Sequence, residues 1–297
     1  MRRRSVPVSL LLSLRPSQWT KNLIVFAGLI FAEKLQDPEA VARATGAFAV
    51  FCVLSGVVYL FNDIRDRDAD RLHPEKSQRP IASGDLPVSV AAVAAIVLGA
   101  GGLIAGFRIE PRFGVVGLIY VLLFALYSSY LKHLVVLDVL TIATGFVLRA
   151  LGGAIAIDVA FSHWLLLLTL LGMLFLALAK RRAEIVTLAG NATDHRKILA
   201  EYSPYLLDQM IGVVTASTLL AYAFYTISPD TVQKFGTEQL LFTVPFPLYG
   251  IFRYLYLIHQ RGGGGNPSEL LLTDRPLLAC VALWVVTVVL ILYRPWS

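Results

Sequence analysis

Apolar residues run through this chain in stretches of about 20, the length at which an α-helix crosses a ~30 Å hydrocarbon layer, and short polar breaks separate them. Nine stretches predict nine membrane spans, near 17–35, 41–61, 86–107, 113–131, 135–157, 161–179, 209–228, 239–258 and 275–294. The first is the weakest, because Glu33 and Lys34 shorten its apolar part. The pattern predicts an all-α integral membrane protein, a bundle of nine transmembrane helices.

Composition agrees. Of 297 residues, 57% are hydrophobic and 15% charged, against roughly half and a quarter in soluble domains, and no soluble core could absorb the surplus. A secreted disulfide scaffold, a nucleic-acid-binding domain and a coiled coil are excluded together. Cys52 and Cys280 both fall inside apolar stretches, where packing is their default role. The basic start at Met1 to Arg4 is followed by Pro7, Arg15 and Pro16 with no small-residue cleavage site, so the first segment is expected to stay in the mature protein.

With nine spans the termini face opposite sides. Of the 26 Lys and Arg residues, 18 fall on the side of the N-terminus and six (Lys34, Arg43, Arg108, Arg112, Lys234, Arg294) on the other. The positive-inside rule then places the N-terminus in the cytoplasm and the C-terminus opposite. The formal net charge of +6 is read as topology and anion binding, with no nucleic acid as partner. Trp19, Trp164 and Trp296 near span ends fit an interfacial aromatic belt. The long connections 62–85 and 180–208 both fall on the cytoplasmic side and hold most of the loop charge, which marks them as functional. Gly262 to Gly265 read as a flexible linker, since no GxxxxGKS/T pattern follows.

The most specific feature is NDIRDRDAD, Asn62 to Asp70, at the cytoplasmic end of the second span. At ~100° per residue Asp63, Asp66 and Asp70 share one helical face within about 60°, while Asp68 points nearly opposite. Carboxylates so crowded repel unless a cation joins them, and hard oxygen donors beside a phosphate are what Mg²⁺ prefers. His73, Lys76 and Arg79 follow within a dozen residues, before Pro80 and Gly84 break the helix. Metal-binding acids beside free cations suit a polyanionic substrate. Three further patches lie at span ends on the same side: RPSQWTKN (Arg15 to Asn22), YSSYLKH (Tyr127 to His133) and KRRAE (Lys180 to Glu184), with Arg196, Lys197 and Tyr202 as weaker candidates. In KRRAE, Lys180, Arg181 and Arg182 can grip phosphate while Glu184 adds a metal ligand.

Within the membrane, Asp138 and Arg149 are eleven residues apart on the fifth span, hence ~16 Å apart along the axis and only ~20° apart around it. Charges at that depth face a polar cavity or the bundle interior. Arg149 suits a phosphate arriving from the lipid; Asp138 suits a metal ligand, a ribose hydroxyl acceptor or a partner for another cation. HExxH, CxxC and GxSxG are absent, so covalent Ser or Cys catalysis has no sequence support.

Asn62, Asp63, Asp66 and Asp70 fall on the fixed positions of NDxxDxxxD, and the chain thereby resembles the UbiA superfamily of intramembrane prenyltransferases. HPEKSQRPIASG, RPSQWTKN, the YxxxxK of Tyr127 to Lys132 and LDVLTIATGFVLRALGGA are similar to the branch typified by decaprenyl-phosphate phosphoribosyltransferase, over essentially the whole chain. Where the aromatic prenyltransferases of the superfamily carry a second acidic motif, this chain has KRRAEIVTLAGNATDHRK, with Glu184 set among cations. The resemblance implies a single UbiA-type transmembrane domain over 1–297, in a bacterial plasma membrane with its active site facing the cytoplasm. It also implies an Mg²⁺-dependent transfer of 5-phosphoribose from 5-phosphoribosyl diphosphate to a polyprenyl phosphate. Asp63, Asp66 and Asp70 would then hold Mg²⁺ with Asn62 orienting them and Glu184 as a further ligand. Lys76, Arg79, Lys180, Arg181 and Arg182 would bind phosphate groups. Lys21 or Arg149 would receive the lipid phosphate, and Tyr127, Lys132 and Asp138 would complete the substrate site. Two rival readings are a prenyltransferase acting on an aromatic acceptor and a transporter with Asp138 and Arg149 as pathway charges.

Overall fold

Eight helices in this computed structural model are long and apolar enough to cross a membrane, among the residues it describes: 4–187, 197–260, 270 and 273–293. The glycine linker at 262–265, Arg196 and Trp296 lie outside those residues. The chain divides into two units at Leu166 and Leu167.

The first unit opens with α1 (Val6–Ser13), a 3₁₀ segment (Pro16–Phe26) and α2 (Ala27–Phe31), and continues through α3 (Pro38–Arg65), α4 (Arg67–Leu72), α5 (Pro80–Ser83), α6 (Val88–Ile109), α7 (Pro111–Ser129) and α8 (Leu137–Ala156). Proline opens several helices, where its missing N–H is no loss. At α3 the Asp37 carboxylate accepts from the backbone N–H groups of Glu39 and Ala40, capping the turn behind Pro38. The core is aromatic: Phe51 of α3 meets Phe113 and Tyr120 of α7 edge-on, with ring centroids 5.6 and 5.5 Å apart. Outward, α6 leaves Val93, Ile96, Val97 and Ile104 more than 60% exposed, as a lipid-facing helix would.

The expected first span differs from the rest. Pro16 to Phe26 winds as a 3₁₀ helix before α2, rich in the weak helix formers Thr20, Asn22, Ile24 and Val25. At ~2.0 Å rise per residue in 3₁₀ and ~1.5 Å in α form, the two pieces together reach ~30 Å, the thickness of a hydrocarbon layer. The 3₁₀ segment lies so close to α8 that a Cβ on Gly153 would fall 2.0 Å from the Val25 carbonyl oxygen. Only a glycine admits that approach.

The second unit contains α9 (His163–Thr187) from Leu167 onward, α10 (Pro204–Ile227), α11 (Pro229–Phe235), a 3₁₀ turn (Gln239–Thr243), α12 (Pro245–Gln260) and α13 (Arg275–Tyr293). A hydroxyl relay ties three of these pieces: Trp284 Nε1 donates to Tyr222 OH at 2.8 Å, Tyr222 meets Thr243 Oγ1 at 2.6 Å, and that hydroxyl donates to the Leu240 carbonyl at 2.6 Å. Two expected boundaries move. The sixth span continues as helix through Thr187 and the seventh begins at Pro204, so KRRAE is helical; Lys, Arg, Glu and Ala end the apolar stretch but are good helix formers.

Gly153→Ala should destabilise the protein by about 3 kcal/mol, the overpacking range, whereas Gly101→Ala, where a Cβ meets nothing within 4 Å, should be neutral or stabilising. Thermal unfolding of the two variants in one detergent checks the contrast.

Candidate active site

Asp63 lies in the last turn of α3. At Asp66 the backbone leaves helical geometry (φ −90°, ψ 7°), and α4 resumes at Arg67 and carries Asp70. The hydrogen-bond path survives the break: the Asp66 N–H donates to the Asn62 carbonyl at 2.9 Å and the Asp70 N–H to the Asp66 carbonyl at 2.8 Å. The one-turn spacing of the acids is therefore retained. Asp63 and Asp70 are 2% and 4% exposed, and charges so enclosed need partners. Arg79 Nη1 serves both, at 3.1 Å from Asp63 Oδ1 and 2.6 Å from Asp70 Oδ2. Arg15 Nη2 reaches the same Asp63 oxygen at 2.5 Å, with its guanidinium 4.6 Å above the Tyr59 ring. Asp66 turns instead to Lys132, whose Nζ donates to both carboxylate oxygens at 2.7 and 2.9 Å.

Local backbone chemistry places these cations. Arg79 precedes Pro80, which holds it extended (φ −63°, ψ 141°) and opens the single turn of α5; Gly84 then reverses the chain at φ +85°. Arg15, before Pro16, sits at φ +52°, a left-handed conformation uncommon outside glycine. Arg71 Nε donates to the Ala82 carbonyl at 3.2 Å, fastening the returning loop to α4.

Arg79 brings Asp63 and Asp70 to one nitrogen, while no three acidic, thiol or imidazole groups converge tightly enough to hold a metal ion among the described residues. Mg²⁺ is ordinarily held by one or two carboxylates with substrate phosphates completing its shell. Asp63 and Asp70, as adjacent hard-oxygen donors, fit that requirement.

A second polar cluster lies within the membrane-spanning part of the first unit. Arg149, 5% exposed, donates from Nε to Asn22 Oδ1 at 2.7 Å, from Nη2 to Tyr120 OH at 2.6 Å and from Nη1 to the Gly145 carbonyl at 3.0 Å. Its guanidinium carbon lies 4.7 and 5.0 Å from the Tyr120 and Phe146 ring centroids. No carboxylate pairs with it among the described residues, so neutral dipoles and ring faces carry the charge. It joins the 3₁₀ segment, α7 and α8, and Asn22 extends the cluster to Cys52 Sγ at 3.3 Å and Ser55 Oγ at 3.4 Å. Asp138, fully buried in the first turn of α8, is not its partner.

In the second unit the three cations of KRRAE have separate surroundings. Lys180 is exposed, Arg181 is 3% exposed and donates to Glu184 at 2.7 Å, and Arg182 Nε donates to Asp208 at 2.5 Å. Among the other expected residues, Lys21 and Lys76 are half-buried, the latter on a short 3₁₀ turn where its N–H donates to His73 Nδ1 at 3.3 Å. Tyr127 packs edge-on against Phe124, with centroids 5.9 Å apart. Two residues escaped the sequence reading. Arg15 was legible only as the first letter of RPSQWTKN, where Lys21 drew the emphasis, and Asp208 only as an acid soon after Pro204.

The fold and polar sites define an all-helical, multi-pass membrane protein with acids and bases gathered at helix ends. The UbiA prenyltransferase family profile matches residues 22–272. The chain belongs to that family and is a membrane transferase. Decaprenyl-phosphate phosphoribosyltransferase of Corynebacterium glutamicum is 34% identical over 95% of this chain and 86% of its own length; the protein of that name from Mycolicibacterium smegmatis is 32% identical over 94% and 91%. Among solved structures, a UbiA homolog from Archaeoglobus fulgidus bound to GPP and Mg²⁺ shares the fold at TM-score 0.73, with 18% identity over 96% of this chain and 100% of that one.

Arg79→Ala removes the shared partner of two buried carboxylates and should lower stability by about 3 kcal/mol, measured as a shift of the denaturation midpoint. A pH-dependent term comes from Asp274, which precedes α13 and accepts from Arg253 Nη2 at 2.8 Å and from the Leu277 N–H at 2.9 Å. The Arg253 hydrogen bond holds its carboxyl below the usual carboxylate range. Its contribution is present in full above the ordinary value of ~3.9 and lost as pH falls through the depressed one. Asp274→Asn should therefore lower the thermal midpoint at pH 7, and the gap to wild type should narrow as the pH falls below the ordinary carboxylate value and through the depressed one.

Proposed function

We propose that the chain transfers 5-phosphoribose from 5-phosphoribosyl diphosphate to a polyprenyl phosphate, releasing diphosphate, with Mg²⁺ required. The observation that carries this reading is the character of the second charged patch: its acid, Glu184, is bonded to Arg181, and Asp208 engages Arg182. That patch offers cations to a sugar phosphate in place of a second metal cluster for a prenyl diphosphate. The names of the relatives, at 31–34% identity over at least 93% of this chain, support the same substrates.

The chemistry suits the residues. A lipid phosphate is an anion at neutral pH and needs no strong general base; one of its oxygens forms a bond to ribose C1 as the C1–O bond to diphosphate breaks. Catalysis then reduces to positioning and to stabilising the leaving charge. Asp63 and Asp70 would hold Mg²⁺, with Asp66 joining them on leaving Lys132, and the bound ion would supply that stabilisation. Asn62 orients the carboxylates, Lys76, Arg79, Lys180 and Arg182 hold phosphate groups, and Lys132 and Arg15 shield the acids from one another. Lys21 is assigned to the lipid phosphate. Arg149 is assigned to holding the 3₁₀ segment, α7 and α8 together, since its contacts enclose it. Tyr127 and Asp138 stay in the substrate site, while Arg181 and Glu184 engage each other. The whole chain acts as one catalytic domain with nine crossings, N-terminus and active site on the cytoplasmic side of a bacterial plasma membrane.

Purified protein supplied with polyprenyl phosphate, Mg²⁺ and radiolabelled phosphoribosyl diphosphate should yield a labelled lipid. Asp66→Ala or chelation of divalent ions should lower the rate at least about a hundredfold. Absence of labelled lipid at every chain length tested, or product only from a prenyl diphosphate and an aromatic acceptor, would refute the assignment.

A further inference from the structure

Three helix ends of the second unit meet in one charged network. Arg182, near the end of α9, donates from Nε to Asp208 Oδ1 at 2.5 Å and from Nη2 to Oδ2 at 3.4 Å. Asp208 stands in the second turn of α10. From the last turn of α12, His259 brings Nε2 to 3.3 Å from the same Oδ1, while its Nδ1 faces the Leu255 carbonyl at 2.9 Å. Both ring nitrogens thus face acceptors; a neutral ring can donate to one of them, an imidazolium to both.

The two arginines of KRRAE are used differently. Arg181 is enclosed and bonded to Glu184 one turn along the same helix. Arg182 is gripped by an acid from another helix, along the edge formed by Nε and Nη2, and its Nη1 has no partner among the described residues. A guanidinium has five donors in a rigid plane, so anchoring one edge aims the other. The side chains of Arg182 and Asp208 are 14% and 36% exposed, and an ion pair this open contributes little to stability. What it does fix is direction.

We propose that Asp208 is a positioning residue for anion recognition: it holds Arg182 by one edge so that the edge bearing Nη1 meets a phosphoryl group of the sugar-diphosphate donor, and His259 steadies Asp208 from behind. This rests on the assignment of Arg182 to donor binding above. The carboxylate has two opposed effects on such a site, since its charge weakens anion binding while its geometry strengthens it. The sign of the change on removing it decides which dominates.

The test uses full-length protein in detergent with two readouts, protection from thermal unfolding by inorganic diphosphate and the KM values for both substrates. Asp208→Asn should weaken diphosphate protection and raise the donor KM about tenfold, the scale of one charge-assisted hydrogen bond, with the lipid KM unchanged within twofold. Asp208→Glu should recover most of the loss, and in an Arg182→Lys background Asp208→Asn should have no further effect. Unchanged or tighter diphosphate binding in Asp208→Asn, or an undiminished effect in the Arg182→Lys background, overturns the proposal. If Asp208→Asn fails to fold, Asp208→Ser takes its place, with the same expected loss of donor affinity and the same overturning result. Diphosphate protection lost in Asp208→Asn without any turnover of phosphoribosyl diphosphate by wild type would refute the proposed reaction and leave the role of Asp208 standing.

Discussion

Two carboxylates enclosed at the end of a membrane helix are tolerable only with their charge compensated, and much of the first unit follows from how that is achieved. Asp63 and Asp70 have water on almost no side, and one guanidinium, that of Arg79, answers both. For Arg79 to arrive there the chain must leave α4, turn, and come back. Pro80, the single turn of α5 and the left-handed Gly84 accomplish the return, and Ile81 and Leu86 pack the loop against Leu60. Arg15 is brought in from the N-terminal segment in a left-handed conformation that few side chains adopt. Backbone strain of this kind persists where surrounding contacts over-determine it, and such positions cluster at functional sites.

The interior of the first unit is held on different terms. Arg149 has only neutral partners, yet three elements converge on it, and two aromatic faces flank its charge. In a medium that offers no water, each unsatisfied polar group is expensive, so a cation with its donors directed into Asn22, Tyr120 and a helix carbonyl acts as a joint between elements. The glycine contact between the 3₁₀ segment and α8 brings backbone to backbone beside that joint. An irregular segment at membrane depth can persist where it is buried in protein.

The second unit uses charge at its helix ends in another way. Arg181 turns inward to Glu184, Arg182 outward to Asp208, and Arg253 pairs with Asp274 at the start of α13. The first closes on its own helix; the other two join separate helices. Three adjacent residues on one helix point about 100° apart, and so consecutive cations in KRRAE acquire unlike neighbours.

Helical class, eight of the long apolar helices and the acid face of α3 and α4 were legible in the residue pattern alone, because hydrocarbon thickness and a 3.6-residue period act locally and leave a direct trace in the order of side chains. The NDxxDxxxD spacing survived even a break in helical geometry at Asp66, since hydrogen bonding carried it across. Three features were not legible: the 3₁₀ winding of the first segment, the choice of Arg15 and Arg79 as partners of Asp63, and the hold of Asp208 on Arg182. Arg15 and Asp63 are 48 positions apart, Arg182 and Asp208 26. Which cation meets which acid depends on how loops return and helices pack, and composition at a helix end is the same whichever partner is chosen. The sequence by itself determined that charges would gather at helix ends in a membrane; only the tertiary structure decided their pairing, because pairing is set by distances between segments that no local pattern encodes.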